Sequence, residues 1–198
     1  MLRERFAPLP QVDLAGFHCE LAEVAHERRV RIDSAAMDVM TDLSLIPAAS
    51  IDVATAADEA HRAMQLRGVR LLLVTDSLRG VVGVVTAADF LGERPLRVAN
   101  GRGIRFAEIS VGQVMTAMDE MEAMRLDDVL RAEVGHVVAT LRRSGRQHAL
   151  VVEPMAGGRL RIRGIFSLTQ ISRQLGEPVP ASTEVARNFA EIEAAIAV

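Results

Sequence analysis

An α/β fold of two β-α-β-β-α repeats, packed as one module with an extra helix at each end, is what this sequence predicts. Three observations carry that expectation. Asp38-Val39-Met40-Thr41, the apolar run Gly68–Asp76 and the closure Gly83-Val84-Val85-Thr86 recur in the same order roughly 75–80 residues further on, as Gln113–Thr116, Gly145–Glu153 and Gly164–Ser167. Within each copy, apolar residues alternate where a strand is expected and recur at three-and-four spacing where a helix is. A unit of about 50–60 residues buries too little surface to be stable alone, so the two copies are expected to share a core.

Each element follows from local pattern. Ile51 and Val53 in the first copy, and Met124 and Leu126 in the second, alternate as a short strand would. A helix comes next, with Ala57, Ala60, Ala63 and Met64 on one face, matched by Val134, Val137, Val138 and Leu141. Gly68 and Gly145 stand where a helix ends in a left-handed residue. Buried strands are expected at 71–74 and 81–85 around a turn at Asp76-Ser77, and at 149–152 and 160–166 around a Gly157-Gly158 hairpin. A second helix begins after Thr86 or Ser167. Outside the repeats, Leu14, Phe17, Leu21 and Val24 follow Asp13, and Val185, Phe189, Ile192 and Ile196 follow Ser182. Both stripes are expected to form capped helices that dock on the repeat core, with partner binding as the other use of such faces.

Composition narrows the function. The chain has 198 residues, 49% hydrophobic and 25% charged, and its 23 basic and 26 acidic side chains leave a net charge of −3. That removes the general electrostatic case for nucleic acid. Every basic residue is Arg, which reads as coding bias rather than function. With neither Trp nor Tyr there is no Trp/Tyr stacking cage and no Tyr acid. The single Cys19 supports neither an internal disulfide nor a four-thiolate zinc site. Met1–Phe6 leads into Pro8 and Pro10 rather than an apolar signal core, and the greasiest stretch, Leu71–Val85, is broken by Asp76 and Arg79. A cytoplasmic location is therefore expected.

The Val-Met-Thr openings, the Gly-Val-Arg…Val-Thr-Asp strand and above all the closure Gly83-Val84-Val85-Thr86-Ala87-Ala88-Asp89-Phe90-Leu91 resemble a pair of cystathionine β-synthase (CBS) motifs, together called a Bateman module. The resemblance divides the chain into an N-terminal extension with a helix (1–36), a first motif (37–95), a linker (96–110) marked by Gly101-Arg102-Gly103, a second motif (111–176) and a C-terminal helix (177–198). It implies a pseudo-twofold unit with two clefts between the copies, usually a homodimer. It also implies a regulatory ligand that contains adenosine, such as AMP, ADP, ATP or S-adenosylmethionine, and no catalytic cofactor.

The resemblance assigns ribose and phosphate contacts to Thr86 and Asp89. Asp89 stands where a carboxylate can accept both ribose hydroxyls, and the helix it begins favours an anion. Thr-x-x-Asp is equally a capping box, in which the two residues satisfy helix amides. In the second copy the sequence reads Ser167-Leu168-Thr169-Gln170, without the carboxylate. One competent cleft, centred on Asp89, is therefore expected. Arg70 and His148 are candidate phosphate contacts, with a solvent-facing strand edge as the alternative for each. Thr41 and Thr116 open the copies where the family contacts the base, Ser167 takes the place of Thr86, and Val84, Ile46 and Met115 are available to line an apolar slot.

Arg159, Arg161 and Arg163 alternate with Leu160 and Ile162, which predicts one solvated strand face or an anion-binding surface. No nucleophile elbow, phosphate-binding loop or zinc-helix signature is present, His18 and Cys19 diverge as helix neighbours, and His26, His61 and His136 lack paired spacing. The chain is thus expected to be no enzyme and to hold no metal. Two functions remain: a sensor whose nucleotide alters association with itself or a protein target, and a ligand-free scaffold for homodimerisation or partner binding. Neither invokes a membrane.

Overall fold

The computed structural model describes residues 9–16, 18 and 29–179. Most of the helix expected from Asp13 onward, with Cys19 and His26, lies outside these residues, as does the helix expected over 183–197. Residues 11–16 are exposed, and Asp13 accepts the Ala15 N–H in a local turn.

The first repeat comprises β1 (Thr41–Asp42), β2 (Ser50–Asp52), α1 (Ala57–Arg67), β3 (Leu71–Thr75), β4 (Val81–Thr86) and α2 (Ala87–Leu91). A further helix, α3 (Arg94–Arg102), occupies much of the stretch expected to be a linker; Pro95 in its first turn is compatible with a helix start. The second repeat comprises α4 (Val111–Val114), β5 (Thr116–Ala117), β6 (Ala123–Arg125), α5 (Leu126–Val129), α6 (Val134–Ser144), β7 (His148–Pro154), β8 (Leu160–Ser167) and α7 (Leu168–Leu175). Leu126 differs from expectation: it opens α5 rather than extending β6, with Asp127 and Asp128 favouring the helix start. Gly68 and Gly145 end α1 and α6 with φ of 64°.

Two four-stranded sheets form, in the orders β2-β3-β4-β5 and β1-β8-β7-β6. The opening strand of each repeat therefore joins the other repeat's sheet. Thr41 lies opposite Ile165 and Asp42 opposite Gly164, while Thr116 lies opposite Val84 and Ala117 opposite Gly83. The same exchange occurs at the helix starts, where Ala35 bridges to Glu133 and Ala56 to Ser110.

Gly83 and Gly164 explain the methionine of each Val-Met-Thr opening. A Cβ at Gly83 would lie 2.8 Å from Met115 Sδ and 2.6 Å from the Thr116 carbonyl oxygen. A Cβ at Gly164 would lie 2.5 Å from Met40 Sδ. Each methionine thus rests where the opposite glycine has no side chain.

Both sheets are covered on two faces. Leu72, Val74 and Val85 pack beneath α1 and α2, and Val151 and Phe166 beneath α6 and α7. Leu71, Leu73, Val84 and Leu150 face the other way and meet in a third cluster shared by both sheets. This double burial is why β3 and much of β7 read as continuous apolar runs.

The arginines of β8 do not share one solvated face. The register shifts so that Val151 pairs with Gly164 and Val152 with Ile162, leaving Arg163 as the extra residue of a bulge. Arg163 is half-buried, bonded to Asp42 and 3.7 Å from Glu153, which also bonds Arg161 at 3.1 Å.

Candidate functional site

The strand exchange builds two clefts, each from both repeats. In the first, β4 delivers Thr86, the following turn of helix delivers Asp89, and β5 delivers Thr116 from the second repeat. Asp89 Oδ2 accepts the Thr86 backbone N–H at 2.8 Å and the Thr86 hydroxyl at 2.7 Å. Its other oxygen lies 3.4 Å from the Arg94 guanidinium. Arg94 Nη1 also donates to the Val114 and Met115 carbonyls at 2.8 and 3.0 Å and reaches the Thr116 hydroxyl at 3.4 Å. The capping arrangement is therefore realised, and the space before Asp89 holds the protein's own cation.

The second cleft is open. A cavity of about 410 Å³ lies between Thr41 of β1, residues 68–71 entering β3, and Ser167, Thr169, Gln170 and Arg173 at the start of α7. Ile46, Pro47, Ala49, Val69 and Ile165 supply apolar lining, Arg70 joins from the first repeat, and His148 lies opposite Ser167 in the β7–β8 register, beside the start of α7. Its volume lies within the usual small-ligand range.

The electrostatics are one-sided, since two arginines and a histidine line this cavity and no carboxylate does. Burial, reinforced by the nearby Arg70 charge, pushes the His148 imidazole down to about 4, so it is neutral at pH 7. Its Nδ1 is buried with no hydrogen-bond partner. Gln170 Oε1 accepts the Thr41 hydroxyl at 3.4 Å, tying β1 to α7.

The sequence-derived candidates thus divide between the clefts. Thr41, Arg70, His148 and Ser167 come together with Ile46 around the open cavity. Thr86, Asp89 and Thr116 gather with Arg94, and Met115 contributes its carbonyl there while its side chain rests near Gly83. Val84 is buried between the sheets rather than lining the open cavity. Sequence reasoning missed Arg94 and Arg173. The available signal was the break at Gly92 with Pro95 beside Arg94, which restarts the chain as α3 directly beside the Asp89 turn. Among the described residues no cluster of three or more His, Cys, Asp or Glu side chains is placed to hold a metal, and no helix is long and apolar enough to cross a membrane.

No family model and no curated protein matches the chain. Solved structures do. The CBS-domain protein ATU1752 from Agrobacterium tumefaciens is similar with a TM-score of 0.52 and 16% identity, over 72% of this chain and 94% of that one. CBSX2, a CBS-pair protein of Arabidopsis thaliana, was solved in complex with AMP. That complex is similar with a TM-score of 0.50 and 22% identity, over 71% and 94%. The CBS domain pair of MJ0100, in complex with 5′-methylthioadenosine and S-adenosyl-L-methionine, gives 0.50 and 18%, over 74% and 98%.

Proposed function

We propose that this tandem CBS fold works as a regulatory sensor, not a catalyst, taking an adenine nucleotide into the cavity between Arg70 and Gln170. The observation that carries the reading is the lining of that cavity, which combines two arginines, hydroxyls and an apolar set and is free of carboxylates. An arginine fork suits phosphate oxygens. Ile46, Val69 and Ile165 are placed to hold a flat base, with the Thr41 and Ser167 hydroxyls beside them. The AMP complex of CBSX2 and the adenosine-containing ligands of the MJ0100 pair support such a body in this fold. A sulfonium and an ammonium group gain nothing beside Arg70, so nucleotides are favoured over S-adenosylmethionine.

The ligand would touch both repeats at once and so bias how one sits against the other. Coupling between sites is typically about 1–3 kcal/mol, enough to alter association with a copy or a protein target. Leu66, Leu91 and Leu96, exposed on the successive helices α1, α2 and α3, support homodimerisation as the associated state. A cytoplasmic location is part of the same reading.

Calorimetric titration of the full chain with AMP, ADP, ATP and S-adenosylmethionine tests this. Nucleotides should bind more tightly than S-adenosylmethionine. Arg70→Ala should weaken them about tenfold or more, as loss of one charge-assisted hydrogen bond worth roughly 1.5–3 kcal/mol requires. Asp89→Ala should leave the affinity unchanged. Loss of binding in folded Asp89→Ala with Arg70→Ala normal would move the site to the first cleft. Silence towards every ligand, with protein verified free of retained nucleotide, would leave the scaffold reading.

A further inference from the structure

We infer that the nucleotide selected by the open cleft carries a phosphate ester on its ribose, at the 2′ or 3′ oxygen. This rests on the reading that the Gln170 cavity is the nucleotide site. A free ribose diol presents two O–H donors and is best met by a carboxylate, while a ribose phosphate is met by a cation and repelled by a carboxylate. The first repeat has the carboxylate, Asp89; the second has Gln170 at the same position. Gln170 accepts the Thr41 hydroxyl through Oε1, and its amide N–H groups have no protein partner among the described residues. What it offers a ligand is a donor.

One helical turn further on, Arg173 lines the same cavity. In the first repeat that place is taken by Gly92, which ends α2. The cleft has therefore exchanged a carboxylate and a glycine for an amide donor and an arginine on one helix face. Arg70 brings a second arginine to the cavity, from the first repeat. A cation from each repeat suits a ligand with phosphate on both the 5′ and the ribose side.

The test compares ADP with adenosine 2′,5′-bisphosphate and adenosine 3′,5′-bisphosphate at fixed ionic strength, by calorimetry on the full chain. Each carries two phosphates and differs in where the second sits. One bisphosphate should bind at least tenfold more tightly than ADP. Gln170→Glu should abolish that preference, since the carboxylate repels a ribose phosphate and accepts hydrogen bonds from the free diol of ADP. Bisphosphates binding no better than ADP would overturn the inference and leave the nucleotide reading standing. A preference that survives Gln170→Glu would also overturn it, by placing the phosphate elsewhere. No binding by any of the three overturns both.

Discussion

In the first cleft Asp89 uses one oxygen to hold Thr86 and turns the other towards Arg94, which also bonds the Val114 and Met115 carbonyls. In the second, Gln170 holds only Thr41, and an open cavity of about 410 Å³ remains. The backbone around them is duplicated, down to the exchanged strands and the methionine lying over each glycine. The repeat keeps how a cleft is made, while two positions on one helix set what lines it: a carboxylate met by Arg94, or an amide followed by Arg173. Gly92 ends α2 after five residues and lets Arg94 swing back; Arg173, in the same place, lets α7 run eight.

The largest effect is expected at the two glycines. A side chain at Gly83 meets a backbone carbonyl, whereas at Gly164 it meets only a methionine side chain. Gly83→Ala should cost about 3 kcal/mol and Gly164→Ala about 1 kcal/mol, because overpacking against rigid atoms cannot relax. Thermal unfolding should separate them by roughly 4–8 °C for a chain of this size. Equal losses would mean that the first exchanged strand yields as readily as the second.

His148 comes next. Its folded-state value, about 4, lies below the ordinary 6.5, so between those values the unfolded chain binds more protons than the folded one. Stability from this group is complete above about pH 6.5 and is lost as pH falls towards 4. Denaturant unfolding at pH 7 and pH 4.5 should show about 2–3 kcal/mol of acid loss from this residue. His148→Leu should lack that increment.

Smaller effects distinguish the helix starts. Asp89→Ala removes the acceptor of two hydrogen bonds at the N-terminus of α2 and should cost about 1–2 kcal/mol, read by denaturant midpoint. Gln170→Ala should cost under about 0.5 kcal/mol, since only one long side-chain bond is lost. Gln170→Asp, which copies the first repeat onto α7, should add about 0.5 kcal/mol by capping through Ser167. If it adds nothing, the box at Asp89 depends on Arg94 rather than on the helix start alone.

Much of the fold is legible in the sequence. The alternation over 71–85 and 148–167, the helical faces of α1 and α6 and the glycines that stop them are short-range signals, and each reports its own element. The site was legible in part. Thr41, Arg70, His148 and Ser167 were singled out by position, and they converge on one cavity. The expectation that Asp89 marks the open cleft did not anticipate a cation from α3, because nothing local to Thr86–Asp89 names Arg94 as its neighbour. The shared face of Arg159, Arg161 and Arg163 failed for a similar reason. A bulge depends on how β8 registers against β7, and strand alternation alone cannot show it.

By itself the sequence determined the duplicated unit, its strands and helices, and the residue types that any cleft between the copies must use. Those properties follow from backbone preference and periodic burial, which act over a few residues. Exchange of the opening strands, the inward turn of Arg163 to Asp42, the meeting of Arg94 with Asp89 and the cavity beside Gln170 come from tertiary packing. Each depends on a contact between segments far apart in the chain, such as Thr41 with Gln170, 129 residues away. Contacts of that kind form only once both sheets have packed.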